Sequence, residues 1–199
     1  PYTLSLHDAL PIYHLPELAK AFSPETGAST TFRSLISSSL QFADGFSRAL
    51  PPAHPARTIL IYAPNSLLYP VLLFAALAAG ITLTTANNNY TASELAHQLR
   101  NSGAGLVIVG EEGVGVAKAA AREVGIGEEM IYVIGEGKEG LKSAEELRGS
   151  DEFKAIEIRA EDRGTKVACE LLRVGIEVLL IKETDLPYSS GTTDRKSVV

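Results

Sequence analysis

Between Thr31 and Leu50, the apolar residues Phe32, Leu35, Ile36, Leu40, Phe42, Ala43 and Phe46 recur at helical spacing. An amphipathic helix is predicted there, with Thr31 as its N-cap. Pro51, Pro52 and Pro55 end it and stiffen the connector. The run Thr58, Ile59, Leu60, Ile61, Tyr62 is apolar and β-branched without alternation, which predicts a strand buried on both faces. Asn65 or Ser66 is the predicted cap of a second helix that runs to about Ala79 and stops at Gly80. A short strand follows over residues 81–84. Thr91, Ala92, Ser93 and Glu94 have the pattern of a capping box, opening a helix to about Asn101 that Gly103 closes. A third strand is expected over 106–109, then a helix over 114–124 and a fourth strand over 131–134. Strands and helices that alternate with short connections predict an α/β fold, a doubly wound, mostly parallel sheet.

The pattern weakens after Gly135. A helical piece is expected near 143–148, a strand at 155–158, a helix over 166–173 and a buried strand over 176–181. That last run leads towards Leu186, Pro187, Tyr188, Ser189, Ser190, Gly191, Thr192 and Thr193.

Composition narrows the picture. At 199 residues the chain holds one sizeable core, or one domain with part of another. A net charge of −6 argues against a nucleic-acid partner, which needs clustered Lys and Arg. The lone Cys169 forms no internal disulfide and fits a reducing compartment. His7, His14, His54 and His97 are scattered, with no metal-ligand spacing. No charge occurs between Thr58 and Ser93, yet Pro70, Gly80 and Asn87-Asn88-Asn89 interrupt the stretch. A buried helix feeding a buried strand is expected there, not a transmembrane segment. Tyr62, Tyr69, Phe74 and Tyr90 are read as core, and His97 as a surface residue.

The most specific chemistry lies in Ser189, Ser190, Gly191, Thr192 and Thr193. A glycine lets the backbone approach a ligand closely. Successive N–H groups then form a concavity for anion oxygens, to which the hydroxyls add short donors. With Tyr188, this loop resembles the phosphate loop of the adenylate-forming (AMP-binding) superfamily, and most closely acyl-CoA synthetases and 4-coumarate–CoA ligase-like proteins. Three upstream blocks share the resemblance: Ile61 to Ser66 with Tyr69-Pro70, Leu77 to Gly80 through Ala86-Asn87, and Tyr90 to Leu95. Pro24, Glu25, Thr26 and Gly27 before Thr31-Phe32 suit an early hairpin of that family. The similarity covers roughly Glu17 to Val109 and Asp185 to Thr193.

The resemblance implies the N-terminal portion of the large domain of an adenylate-forming enzyme, here residues 13–193. It also implies an acid–thiol ligase that uses ATP, Mg²⁺ and coenzyme A on a small-molecule carboxylic acid. Ser189, Ser190, Gly191, Thr192 and Thr193 would hold the ATP phosphates. The implied location is cytoplasmic, or peroxisomal if a C-terminal address follows. The family's adenine, acyl and catalytic-lysine elements lie beyond its phosphate loop, so this polypeptide is expected to be an inactive fragment. No catalytic or metal-ligating residue is assigned.

The tail departs from the family. Its two threonines precede Gly, a variable residue, Pro, Lys and Gly, whereas this chain has Asp194, Arg195, Lys196, Ser197 and Val198. Lys196 falls one place short of the family lysine. Asp194 beside a phosphate would cost about 1 kcal/mol or more at 4 Å separation. Residues 1–12 and 194–199 resemble translated sequencing adapters and are expected to be non-native. Two other readings stay open. Gly135, Gly137 and Gly140 match the G-x-G-x-x-G dinucleotide pattern after a predicted strand, with Glu157 as a distant ribose partner. A non-catalytic α/β domain is the other.

Overall fold

The buried run predicted at Thr58 to Tyr62 is the second strand from one edge of a five-stranded parallel sheet. The computed structural model describes residues 20–22 and 27–156. Ahead of the sheet stands a small antiparallel pair, β1 (Lys20–Phe22) and β2 (Ser29–Thr31), where the early hairpin was expected. The chain continues through α1 (Phe32–Ala49), β3 (Thr58–Tyr62), α2 (Leu68–Ala79), β4 (Thr82–Ala86) and α3 (Ala92–Ser102). It then forms β5 (Leu106–Gly110), α4 (Val114–Val124), β6 (Ile131–Ile134) and the short β7 (Lys142–Ser143). The order across the sheet is β4-β3-β5-β6-β7, and every pairing is parallel. A doubly wound α/β fold results, as the alternation predicted.

Alternate residues of the central strands serve opposite layers. Ile59, Ile61, Leu106 and Ile108 pack beneath α1 and α2. Leu60, Tyr62, Val107 and Val109 pack beneath α3 and α4. Both faces are covered, so these strands read as unbroken apolar runs. Helix α2 has no charged residue, and no described helix is long and apolar enough to cross a membrane.

Capping shows which local signals governed the ends. The Thr31 hydroxyl accepts a bond from the Ser34 N–H at 3.2 Å. Thr91 accepts from the Glu94 N–H, and Glu94 Oε2 accepts from the Thr91 N–H at 2.8 Å. The bond from the Thr91 N–H, and after it the bond that the Thr91 hydroxyl donates to the same oxygen, hold the Glu94 carboxyl below its ordinary value. Protonation of Glu94 therefore undoes part of the cap. Its stabilising contribution is present above the ordinary glutamate range and disappears as pH falls through the lowered value. An acid titration by circular dichroism should show α3 loosening over that interval, and Glu94→Ala should remove the pH response.

Four expectations are corrected. Neither Asn65 nor Ser66 caps α2 with its side chain. Leu67 is the N-cap residue and makes no side-chain cap bond. Instead, the Ser66 carbonyl accepts from the Tyr69 N–H at 3.1 Å, while Pro70 occupies the first turn, where it costs no bond. The strand expected at 81–84 is Thr82–Ala86, and the piece near 143–148 is a 3₁₀ turn over Ala144–Leu147. Residues 155 and 156 are not in a strand, and the elements expected at 157–158, 166–173 and 176–181 fall outside the described residues.

Beyond β7 the chain crosses the outer side of α1. The Gly149 N–H donates to the Gln41 carbonyl at 2.9 Å, and the Ser150 N–H donates to Asp44 at 3.0 Å. Arg148 binds Gln41 Oε1 and places its guanidinium 4.5 Å from the centroid of Phe42. Ser37 donates to Asp151 at 3.0 Å. The Ile156 N–H then donates to the Ala78 carbonyl at 2.9 Å, beside Gly80.

Candidate functional site

In an open α/β sheet, ligands bind outside the carboxyl ends of the strands, where the strand order reverses. Here the reversal lies between β3 and β5, so the turns after β3, β4 and β5 frame that edge. Tyr62, the last residue of β3, joins all three. Its hydroxyl donates to the Tyr90 carbonyl at 2.9 Å. Its ring lies so close to Gly113 that a Cβ there would sit 2.6 Å from it. Burial lifts the Tyr62 phenol above its ordinary value, and the charge of Glu94 adds to the effect. The side chain therefore stays a neutral donor across the physiological range.

The crevice itself is filled by the chain's own residues. A Cβ on Gly110 would come within 2.9 Å of the Pro64 ring. Pro64, Asn65 and Ser66 are exposed on one side, and Asn87, Asn88 and Asn89 on the other. The Asn87 side chain accepts from the Asn89 N–H at 3.0 Å, which folds the second turn back on itself. Neutral amides and hydroxyls thus line the turns after β3 and β4, while Glu111 and Glu112 stand exposed in the turn after β5. Among the described residues no group of three or more His, Cys, Asp or Glu could hold a metal ion.

An open cleft of about 430 Å³ lies at the opposite, amino end of the sheet. His54, Leu99, Gly105, Ile126, Glu129 and Met130 are among its walls, which are about as polar as apolar.

The predicted phosphate-loop residues Ser189, Ser190, Gly191, Thr192 and Thr193 lie outside the described residues, as do Cys169 and Asp194. Of the aromatics read as core, Tyr62 is buried, while Tyr69, Phe74 and Tyr90 are half-buried. His97 is exposed beside Asn101.

The dinucleotide reading of Gly135, Gly137 and Gly140 meets a physical obstacle. That motif delivers a pyrophosphate to the N-terminus of a following helix. Here the loop leads into the two-residue β7 and a 3₁₀ turn. The loop's groups face its own chain: Lys138 Nζ donates to the Glu111 carbonyl at 3.1 Å, and Ser143 Oγ to the Gly135 carbonyl at 2.6 Å. Sequence reasoning missed the two close approaches at Gly110 and Gly113. Their only trace was the pair of glycines at the end of β5 and of the turn that follows it.

Comparison with known proteins agrees with the blocks found in the sequence. The profile of the AMP-binding enzyme family matches residues 14–196. The chain belongs to the AMP-binding enzyme family. It is 41% identical over 83 residues to the long-chain-fatty-acid–CoA ligase of Salmonella typhimurium, covering 42% of this chain and 15% of that one. It is 29% identical over 168 residues to 4-coumarate–CoA ligase 5 of rice, covering 84% of this chain and 26% of that protein. In fold it is similar to a long-chain-fatty-acid-CoA ligase from Archaeoglobus fulgidus, with TM-score 0.67, 23% identity and coverage of 85% of this chain and 34% of that chain. The chain therefore spans well under half the length of these AMP-binding enzyme relatives.

Proposed function

We propose that the chain is the N-terminal part of the large domain of an ATP-dependent acyl-CoA ligase, acting on a carboxylic acid. The observation that carries this reading is the family match over 14–196, a stretch that includes the Ser/Thr/Gly loop. Both curated relatives named above are acid–CoA ligases. A long-chain-fatty-acid type and a 4-coumarate type are both represented among these relatives.

The reaction has two steps. A carboxylate oxygen attacks the α-phosphorus of ATP, forming the acyl-adenylate as pyrophosphate leaves. The thiol of coenzyme A then attacks the acyl carbonyl, forming the thioester as AMP leaves. Mg²⁺ enters as part of the MgATP substrate. In this reading Ser189, Ser190, Thr192 and Thr193 donate hydroxyl and backbone hydrogen bonds to the β- and γ-phosphates. Gly191 lets the main chain approach them. Their contribution is orientation and charge stabilisation. The described sheet supplies the scaffold.

Asp194 gives this proposal a measurable sign. Removing a repulsion of about 1 kcal/mol corresponds to roughly fivefold tighter binding. Asp194→Gly should therefore bind MgATP about fivefold more tightly in a calorimetric or ³¹P titration. Equal affinity in the two proteins would remove the phosphates from this loop.

A further inference from the structure

We propose that Asn65 is a site of spontaneous covalent modification, losing its side-chain amide by cyclising onto the main-chain nitrogen of Ser66. The products place a new carboxylate at the carboxyl edge of the sheet. The chemistry stands independently of the ligase reading, and only the effect of that charge on a ligand rests on it.

The Ser66 nitrogen attacks Cγ of Asn65, and the new C–N bond forms as the Cγ–Nδ2 bond breaks. Nδ2 leaves as ammonia, taking up the proton that the Ser66 N–H gives up. Water then opens the succinimide ring at either carbonyl, leaving aspartate or isoaspartate at position 65. Nothing is oxidised or reduced, and water is the only co-reactant.

The step needs an asparagine amide that is free to turn and a following N–H that no acceptor holds. The chain has five asparagines, Asn65, Asn87, Asn88, Asn89 and Asn101, and all lie among the described residues. Attack on Asn88 would use the Asn89 nitrogen, whose N–H donates to Asn87 Oδ1 at 3.0 Å. Attack on Asn89 would use the Tyr90 nitrogen, whose N–H donates to the Asn87 carbonyl at 3.0 Å. The bond from Asn89 also holds the Asn87 side chain in place. Asn101 lies in α3 with its amide against His97, and the following Ser102 N–H belongs to the helical ladder.

Asn65 escapes all of these restraints. It and Ser66 are exposed between β3 and α2, outside any helix or strand. Among the described residues, neither the Asn65 side chain nor the Ser66 N–H has a hydrogen-bond partner. The turn is anchored by the Ser66 carbonyl, which accepts from Tyr69, and this leaves the nitrogen open. Pro64, the preceding residue, rests against Gly110, which leads into the turn of the exposed Glu111 and Glu112. A carboxylate at position 65 therefore adds a like charge to that edge, and isoaspartate also lengthens the main chain just ahead of α2.

Asn65 and Asn101 both precede serine, so their local sequences predict similar rates and the fold must separate them. The full chain is held in mildly alkaline buffer while peptide mass spectrometry follows amide loss at each asparagine. Asn65 should react at least about tenfold faster than Asn101, a barrier lower by about 1.4 kcal/mol. In urea the two should become comparable. Ser66→Val, whose β-branched side chain crowds the attacking nitrogen, should slow Asn65 by about tenfold. Isoaspartate should appear beside aspartate, because direct hydrolysis gives aspartate alone. Equal rates in the folded protein, or faster loss at any other asparagine, would overturn the proposal. So would aspartate without isoaspartate, a rate unchanged by Ser66→Val, or a preference for Asn65 that persists in urea.

Discussion

Replacing Phe42 with alanine should destabilise the protein by about 4 kcal/mol, the middle of the range for deleting a buried aromatic ring. Phe42 is 0% exposed and sits where two layers meet. Its ring lies 6.0 Å from that of Phe46 within the core under α1. Its other side carries the Arg148 guanidinium at 4.5 Å. Truncation would open a cavity and also remove the surface on which the segment after β7 rests. The urea midpoint should fall sharply with little change in slope. Arg148→Ala, which loses the cation–π contact, the part-buried bond to Gln41 and the exposed ion pair with Glu145, should cost only about 2 kcal/mol. Equal losses in the two variants would mean that the arginine, not the core, dominates this site.

Gly45→Ala is the second large effect, and its sign is the informative part. At a free position in a helix, Gly→Ala gains about 1 kcal/mol. Gly45 lies within α1, but the Leu147 carbonyl is pressed against it, and a Cβ would overlap that oxygen. The obstacle is backbone, which cannot rotate aside as a side chain would. Relief requires the segment to lift from α1, and with it go the bonds from Gly149 to Gln41 and from Ser150 to Asp44. Destabilisation of about 3 kcal/mol is expected, since overpacking against a fixed neighbour costs 1–3 kcal/mol before those bonds are counted. Faster amide exchange over 144–151 should accompany it. A gain of stability instead would show that Leu147 does not rest on the helix.

The sequence made the alternating layers legible because each central element carried its own period. The spacing of Phe42 and Phe46, and the caps at Thr31 and Thr91, marked α1 and α3 before any contact was known. The unbroken apolar runs at β3 and β5 signalled strands covered on both faces. The path from Ala144 to Ile156 was not legible. It is held by main-chain donors and by a missing Cβ at Gly45, and neither leaves a pattern in residue type. The strand β4 was read short because Thr85 breaks the apolar run, although parallel pairing with β3 extends it to Ala86. The cap of α2 was misread because Asn65 and Ser66 are good capping residues, while the backbone turn at Ser66 already meets the need.

The family was legible in another sense. Four blocks in the order of a known family, the Ser/Thr/Gly loop among them, pointed to it, and the family match over 14–196 agrees. Which turns of the described sheet stand near one another was not readable from motifs. Tyr62 ties the turns after β3, β4 and β5 through one hydroxyl and one ring face, a convergence that only the fold reveals.

The central claim is that Ser189, Ser190, Gly191, Thr192 and Thr193 hold the phosphates of ATP. The most direct test is a ³¹P titration of MgATP with the 199-residue protein and with its Gly191→Val variant. A β-branched side chain at Gly191 should keep the main chain away from the phosphates. The account predicts that the parent protein broadens and shifts the β- and γ-phosphate resonances, and that Gly191→Val leaves them as in free MgATP. Identical spectra with the two proteins would contradict it.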